Sequence, residues 1–174
     1  MSFILVTPLS EVEDTIRLYK PSRLVTLLSP EHMIETPAGI DSERHLRLAL
    51  NDVAEPWASE VPPAEHHVEK LLAFGRDWDA TSPMLVHCWA GISRSTAAAY
   101  ILMCDRLGPG AEKPIADALR DRAPHAYPNS LMVKLADAAL ARQGRMIEAI
   151  NAIGRGDIVA EGERFELPLT LEEL

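Results

Sequence analysis

A cysteine and an arginine separated by five residues follow a short apolar run in the stretch LVHCWAGISRS, residues 85–95. Cys88 is a potential nucleophile, and Arg94 carries a planar guanidinium that can bind two oxygens of one phosphoryl group. Ser95 adds a hydroxyl directly after the arginine. A buried, unreactive cysteine at a strand end is the ordinary alternative for Cys88, but it does not account for the residues that follow. The spacing therefore indicates chemistry on an anionic group.

The five residues between Cys88 and Arg94 form a tight loop, and Gly91 allows positive φ within it. Such a loop can turn its amide N–H groups inward and, with the start of a helix near Arg94, cradle a phosphate-sized dianion. The same positive field favours the thiolate form of Cys88, and Ser95 can donate a hydrogen bond to the sulfur. The residues expected to bind the phosphate are Trp89, Ala90, Gly91, Ile92, Ser93 and Arg94.

The stretch HCWAGISRS resembles the His-Cys-x5-Arg-Ser/Thr signature of the protein tyrosine phosphatase superfamily, and its AGISRS ending is most similar to the compact dual-specificity branch. A second stretch, AYPNSLMVKL at 126–135, resembles the family's Pro-Asn element, which opens a helix behind the phosphate-binding loop. The resemblance covers about residues 46–140, is looser before them, and does not extend beyond Arg142. It implies an α/β fold, a phosphocysteine intermediate, and no metal or cofactor.

The resemblance also implies supporting roles for two residues. His87 would bond the loop and help to keep the thiolate ionised, whereas a semi-buried structural histidine is the alternative. Asn129 would brace the loop, and from the residues alone it is first of all a helix N-cap after Pro128.

The elements that must position these residues alternate between strands and helices. Short β-type runs occur at SFILVT, RLVTLLS and HLRLAL, and MLVHC is the strand that ends at Cys88. Helical spacing predicts one helix between the first two strands and another before MLVHC. This alternation predicts an α/β fold with a central, mostly parallel sheet flanked by helices, and function at the carboxyl ends of the strands. Further helical segments are predicted at about 93–107, 114–122, 129–142 and 146–153.

The length of 174 residues and a hydrophobic content of 47% suit one domain with a sizeable core. We expect a single cysteine-dependent phosphatase domain over residues 1–154 and an acidic C-terminal tail over 155–174, which holds a short strand or lies across the surface. Two cysteines, Cys88 and Cys104, are too few for a disulfide framework, and the N-terminus has no signal-peptide pattern. A cytoplasmic setting is expected.

The charge balance restricts the partners. The chain has 17 Lys and Arg against 26 Asp and Glu, a net charge of −9, which disfavours nucleic acids and anionic membrane surfaces. The most apolar stretch, around residues 97–104, is much shorter than the roughly 20 residues of a membrane-spanning helix. The expected partners are a phosphorylated protein or a small phosphomonoester, with phosphate, sulfate or vanadate as ligands of the loop.

Phosphoryl transfer from an ester needs a general acid for the leaving oxygen. If HLRLAL runs parallel to MLVHC, the carboxyl ends of both strands lie at one edge of the sheet, which places Asp52 beside the loop. Its position is also similar to that of the acid in the dual-specificity phosphatases, although the chain lacks a Trp-Pro-Asp motif. Asp77 and Asp79 directly precede MLVHC and belong at the opposite edge, about 15 Å away. The nearby alternatives are Glu55, Glu60 and a purely structural Asx turn at Asp52.

The favoured function is a phosphatase in which Cys88 attacks phosphorus and Asp52 protonates the leaving group. Protein phosphotyrosine, with or without dual specificity, is the favoured substrate, since the loop lacks the lysines that phosphoinositide-directed relatives often carry. The alternatives are a catalytically weak or inactive phosphate-binding module of the same fold and a phosphatase for a non-protein phosphoester. A rhodanese-like sulfurtransferase and an arsenate reductase are less favoured, because the former usually has a shorter Cys-to-Arg spacing and the latter needs a resolving cysteine that Cys104 cannot readily provide.

Overall fold

The computed structural model of the protein describes residues 2–174. Within them a five-stranded sheet has the order β3-β2-β4-β1-β5. Strands β3, β2, β4 and β1 are parallel to their neighbours, and β5 pairs antiparallel with β1. The expected mostly parallel sheet is confirmed. The strands are β1 Phe3–Thr7, β2 Arg23–Leu28, β3 His45–Ala49, β4 Met84–His87 and β5 Phe165–Pro168.

Helices flank this sheet on both faces. Helix α1 packs Val12 and Ile16 against Leu5, Leu24 and Leu85 on one face. The other helices cover the opposite face and enclose the larger core. The α-helices of the described residues are α1 Val12–Tyr19, α2 Glu65–Arg76, α3 Arg94–Leu107, α4 Glu112–Arg122, α5 Ser130–Ala139 and α6 Arg145–Ile153.

The Cys-x5-Arg motif, residues 88–94, lies at the centre of this architecture. All four residues of β4 are buried, as expected for a central parallel strand that reads as a continuous apolar run. Helix α3 follows the loop and is buried continuously from Arg94 to Cys104. Because both elements are enclosed by neighbours, the loop between them starts and ends at fixed points.

Helix α4 begins earlier than its sequence indicates, at Glu112 rather than at Pro114. A proline is tolerated in the first turn, because its missing N–H has no partner within the helix there. Gly108 and Gly110, both with positive φ, form the turn that separates α4 from α3.

Residues 155–174, expected to form a tail, contribute the edge strand β5. Phe165 and Leu167 are buried, and the strand pairs with β1 from Phe3 to Val6. Of the two arrangements considered for this segment, the structure therefore shows the short strand. No helix within residues 2–174 is long and apolar enough to cross a membrane.

Candidate active site

The phosphate loop, residues 88–94, joins β4 to α3 at the carboxyl edge of the sheet. Gly91 has a φ of +70°, and a Cβ at this position would lie 2.8 Å from the backbone nitrogen of Pro8. Glycine is therefore required here both by the backbone conformation and by the space available.

The carbonyl groups of the phosphate loop accept hydrogen bonds from outside the loop. In a trans peptide the C=O and the following N–H point in opposite directions, so the amide hydrogens of these planes face the centre of the loop. This is the geometry of an anion nest at a helix N-terminus. The bonds run from Leu9 N to Trp89 O at 3.0 Å, Gly162 N to Ala90 O at 2.8 Å, Tyr127 N to Ile92 O at 2.9 Å and Asn129 N to Ser93 O at 3.2 Å.

Cys88 lies at the base of the loop and is only 2% exposed. Its Sγ is 3.1 Å from the Ser95 Oγ, on the first turn of α3. Cys88 borders a cavity of about 550 Å³ that opens between the phosphate loop, Asp52 and the start of α5. Ser95, which is fully buried and does not line the cavity, contacts the sulfur from behind the loop's opening.

Arg94 borders the same cavity, although it is only 6% exposed. Its Nη1 donates to the Leu50 carbonyl at 2.9 Å, which anchors the guanidinium at the end of β3. The buried Nε has no hydrogen-bond partner among the described residues. An unsatisfied buried donor of a charged group is costly, and an oxyanion in the loop would satisfy it.

Asp52 follows β3 and borders the cavity, because β3 and β4 are both parallel to β2 and end at the same edge of the sheet. Its Oδ1 accepts hydrogen bonds from Ser93 Oγ at 2.7 Å and from Asn129 Nδ2 at 2.9 Å. Both bonds engage Oδ1, which leaves Oδ2 free to carry a proton.

The other carboxylates considered from the sequence lie elsewhere. Asp77 Oδ2 accepts from Arg23 Nη2 at 2.7 Å, at the start of β2 and so at the opposite edge of the sheet. Asp79 bonds the hydroxyl and the amide of Thr81 in the turn before β4. Asp52 is the one carboxylate among the described residues that borders the cavity, and Glu55 and Glu60 do not.

His87 connects the phosphate loop to a buried chain of hydrogen bonds. Its Nδ1 lies 3.1 Å from the Cys88 carbonyl, which can only accept, so Nδ1 carries the proton. Its Nε2 then accepts from the Thr26 hydroxyl at 2.7 Å. The Thr26 oxygen in turn accepts from His45 Nε2 at 2.7 Å, and His45 Nδ1 accepts from Thr36 Oγ1 at 2.9 Å. One set of tautomers satisfies the whole chain with both imidazoles neutral.

Burial keeps these two histidines neutral. It lowers the pKa of His87 to about 4, and the Cys88 carbonyl opposes this shift only in part. Burial likewise lowers the pKa of His45 to about 4, with the positive charge of Arg47 acting in the same direction. Near neutral pH, His87 is therefore uncharged and holds the Cys88 peptide through its Nδ1–H.

Asn129 joins three parts of the site. Its Oδ1 caps α5 by accepting from Met132 N at 3.0 Å. Its Nδ2 donates to Asp52 Oδ1 and, at 3.0 Å, to the Val53 carbonyl. Its backbone N–H bonds the Ser93 carbonyl of the phosphate loop. One side chain thus connects the helix cap to the segment that carries the candidate acid.

No family model and no curated protein sequence matches this chain. Solved structures do match it. The crystal structure of DUSP15 has a TM-score of 0.59 at 18% identity, covering 89% of this chain and 99% of that one. Human DUSP28 has a TM-score of 0.55 at 20% identity, covering 86% and 94%. PTPMT1 has a TM-score of 0.57 at 20% identity, covering 86% and 92%.

The chain has the fold of the dual-specificity phosphatases. Two exposed aromatic side chains, Trp89 and Tyr127, border the cavity. Trp89 is 53% exposed and packs edge-on against His32, with ring centroids 5.1 Å apart. Tyr127 is 51% exposed and lies under the Arg155 guanidinium, 5.6 Å from its ring centre. Arg94 is the only lysine or arginine of the described residues that borders the cavity.

Several residues that support the site were not predicted from the sequence. Thr26 and His45 extend the hydrogen-bond chain of His87, and Gly162 bonds the phosphate loop from near the end of the sequence. A threonine within the otherwise apolar run RLVTLLS was the one available signal, because a buried hydroxyl needs a partner. Nothing in the sequence connects Gly162 with Ala90.

Proposed function

We propose that this protein is a cysteine-dependent phosphomonoester hydrolase that works through a phosphocysteine intermediate. The observation that carries this proposal is that Cys88, Arg94 and Asp52 line one cavity at the phosphate loop. The Nε of Arg94 has no hydrogen-bond partner in the described part of the chain, and the carbonyls of the loop are bonded on its outer side. Cys88, Arg94 and Asp52 supply a nucleophile, an oxyanion clamp and a proton donor.

In the first step the Cys88 thiolate attacks phosphorus. The S–P bond forms as the P–O bond to the leaving group breaks, and Asp52 Oδ2 gives its proton to the departing oxygen. The loop amides and Arg94 bind the equatorial oxygens, where negative charge is concentrated during transfer. Ser93 and Asn129 hold the opposite oxygen of Asp52 in place.

In the second step water hydrolyses the phosphocysteine. Asp52, now a carboxylate, accepts a proton from the water as its oxygen attacks phosphorus, and the S–P bond breaks. The Ser95 hydroxyl, 3.1 Å from the sulfur, can donate a hydrogen bond to the departing thiolate. Inorganic phosphate is released and the free thiolate is restored.

Phosphotyrosine in a protein is the substrate class that we favour. Trp89 and Tyr127 offer aromatic surface beside the cavity, which suits an aryl ester. A single bordering cation, Arg94, suits one phosphate group rather than a polyphosphorylated ring. The alternative to test against phosphotyrosine is a phosphoinositide. PTPMT1 has been solved in complex with PI(5)P, and that structure has a TM-score of 0.55 at 18% identity to this chain. The cytoplasmic setting stays a prediction from the cysteine content.

The deciding experiment compares wild type, Cys88→Ser and Cys104→Ala in hydrolysis of p-nitrophenyl phosphate. Cys104 is the other buried free cysteine and serves as the matched control. We expect activity in wild type and Cys104→Ala, inhibition by vanadate, persistence in EDTA, and loss in Cys88→Ser. Activity retained by Cys88→Ser would overturn the proposal.

Substrate choice is tested by phosphate release from a phosphotyrosine peptide and from PI(5)P vesicles, measured side by side. Faster release from the peptide supports the favoured class, and faster release from the vesicles replaces it with the lipid. Binding of the phosphopeptide without release of phosphate would identify the protein as a binding module of the same fold.

A further inference from the structure

The segment 154–164, which connects α6 to β5, contacts the phosphate loop without lining the cavity. We infer that this segment and His125 form a brace that holds the phosphate loop in its anion-binding conformation, with Gly162 as the positioning residue at the point of contact. The inference rests on the proposed function, because the same loop is concerned. The brace is defined as residues 154–164 together with His125.

The brace is anchored at its beginning by Arg120. The guanidinium of this half-buried residue binds backbone carbonyls at the beginning of the brace and in the α4–α5 connection, and so joins the two. Asp157 adds a backbone bond to the Pro124 carbonyl at 2.8 Å. The carbonyls that Arg120 binds are those of Ile153, Ala123, Pro124, Ala126 and Gly154.

The far end of the brace is fixed to the N-terminal part of the chain. Glu161 accepts from the Ser10 hydroxyl at 2.9 Å. Arg164 bonds Thr15 Oγ1 at 3.1 Å and pairs with Glu11 at 3.2 Å. Strand β5, which follows directly, is hydrogen-bonded to β1. Gly162 therefore lies between bonded residues on both sides, Asp157 before it and Arg164 after it, which limits its movement away from the loop.

The contact point is Gly162, which is buried. Its N–H donates to the Ala90 carbonyl at 2.8 Å. A Cβ at Gly162 would lie 2.5 Å from His125 Nε2 and 3.0 Å from the Gly91 carbonyl oxygen. Gly162 is not among the positive-φ glycines, so space rather than backbone conformation requires glycine here.

The brace completes an enclosure around Gly91. On one side Gly91 meets the backbone of Thr7 and Pro8, at the end of β1. On the other side its carbonyl adjoins the contact between Gly162 and His125, and the His125 ring packs edge-on against Phe165 of β5, 6.0 Å between centroids. A displacement of the brace therefore moves the peptide planes of Ala90 and Gly91, whose amides form part of the nest.

The test is Gly162→Ala, which inserts a methyl group between His125 and the Gly91 carbonyl. We expect the inhibition constant of orthophosphate and the KM for p-nitrophenyl phosphate to rise about ten- to a hundredfold, because small displacements of binding groups have effects of this size. Gly75→Ala is the matched control. Its methyl group would also lie too close to a side chain, 2.4 Å from Leu102 Cδ2, but between α2 and α3 away from the loop. This control should lower stability without changing phosphate affinity.

Two further variants keep the inference testable if Gly162→Ala folds poorly. His125→Ala, which removes the ring beside Gly91, should weaken orthophosphate binding several-fold. Adding His125→Ala to Gly162→Ala should recover part of the loss, since His125 supplies the closest atoms. A merely structural role would lower the thermal midpoint of both variants and leave their phosphate affinity at the wild-type value.

Binding of inorganic phosphate, measured by calorimetry, separates this inference from the proposed function. If wild type and Gly162→Ala bind phosphate equally well, the brace has no positioning role, and hydrolysis by the wild type stands independently. If wild type binds phosphate but hydrolyses no ester, the proposed function falls. Weaker binding by Gly162→Ala would still support the brace in that case.

Discussion

The phosphate loop and the acid segment, residues 51–63, face the same cavity but are held in different ways. The carbonyls of the phosphate loop accept backbone N–H groups from the N-terminal part of the chain, the α4–α5 connection and the brace. In the acid segment Asp52, Glu55 and Trp57 are exposed, with Trp57 80% exposed. Within the acid segment, the backbone forms short turns and one longer-range bond, from Asn51 N to the Val61 carbonyl at 2.8 Å.

This difference separates two tasks of the proposed enzyme. Backbone bonds from distant segments fix the anion site as part of the fold, so it is ready before substrate arrives. Two side-chain bonds, from Ser93 and Asn129, bring the proton donor to it. Binding and proton transfer should therefore respond to different substitutions.

Among the variants that compare these two regions, Asp52→Asn should have the largest effect, because it removes the proton donor. We expect hydrolysis of esters with poor leaving groups to slow by about 10²–10⁴-fold, and hydrolysis of p-nitrophenyl phosphate to slow much less, because a good leaving group needs little protonation. The measurement is the dependence of the hydrolysis rate on the pKa of the leaving group over a series of aryl phosphates. Glu55→Gln, in the same segment, is the control. Equal slowing across the series would place the acid at another residue.

A smaller effect concerns the buried histidines beneath the phosphate loop. Because the pKa values of His45 and His87 are lowered to about 4, the unfolded chain binds more protons than the folded one between pH 6.5 and 4. The free energy of unfolding should therefore decrease as the pH is lowered from 6.5 to 4. Between pH 7 and pH 4.5, the free energy of unfolding of His45→Gln should decrease by about 2 kcal/mol less than that of the wild type, as measured by urea unfolding. If the pH dependence of stability in His45→Gln equals that of the wild type, the buried chain of hydrogen bonds is contradicted.

The smallest effect concerns the connection between the two regions. Asn129→Ser retains a good N-cap for α5 but removes the amide that holds Asp52. We expect kcat for a poor leaving group to fall about three- to tenfold, as for the loss of one hydrogen bond, with KM nearly constant. Asn151→Ser, at an exposed asparagine on α6, is the control. A rise in KM without a change in kcat would assign Asn129 to phosphate binding instead.

The sequence predicts the parts of this site that are local in the chain. The spacing from Cys88 to Ser95 determines a strand, a tight loop and a helix within one stretch, and the parallel order of strands places Asp52 at the same edge. The parts that are not predicted depend on pairs distant in sequence, such as Gly162 with Ala90. Periodicity and local motifs describe the neighbourhood of each residue and carry no signal for such pairs.

Strand β5 and the brace also bear on how the protein is made. Synthesis proceeds from the N-terminus, so the HCWAGISRS stretch leaves the ribosome well before Gly162 and the partner strand of β1. Until Gly162 and β5 have emerged, the Ala90 carbonyl and one edge of β1 lack the partners that they have in the fold, and closing such long-range contacts is slow. A growing chain would thus hold Cys88 in an unfinished loop until the brace and β5 have been synthesised.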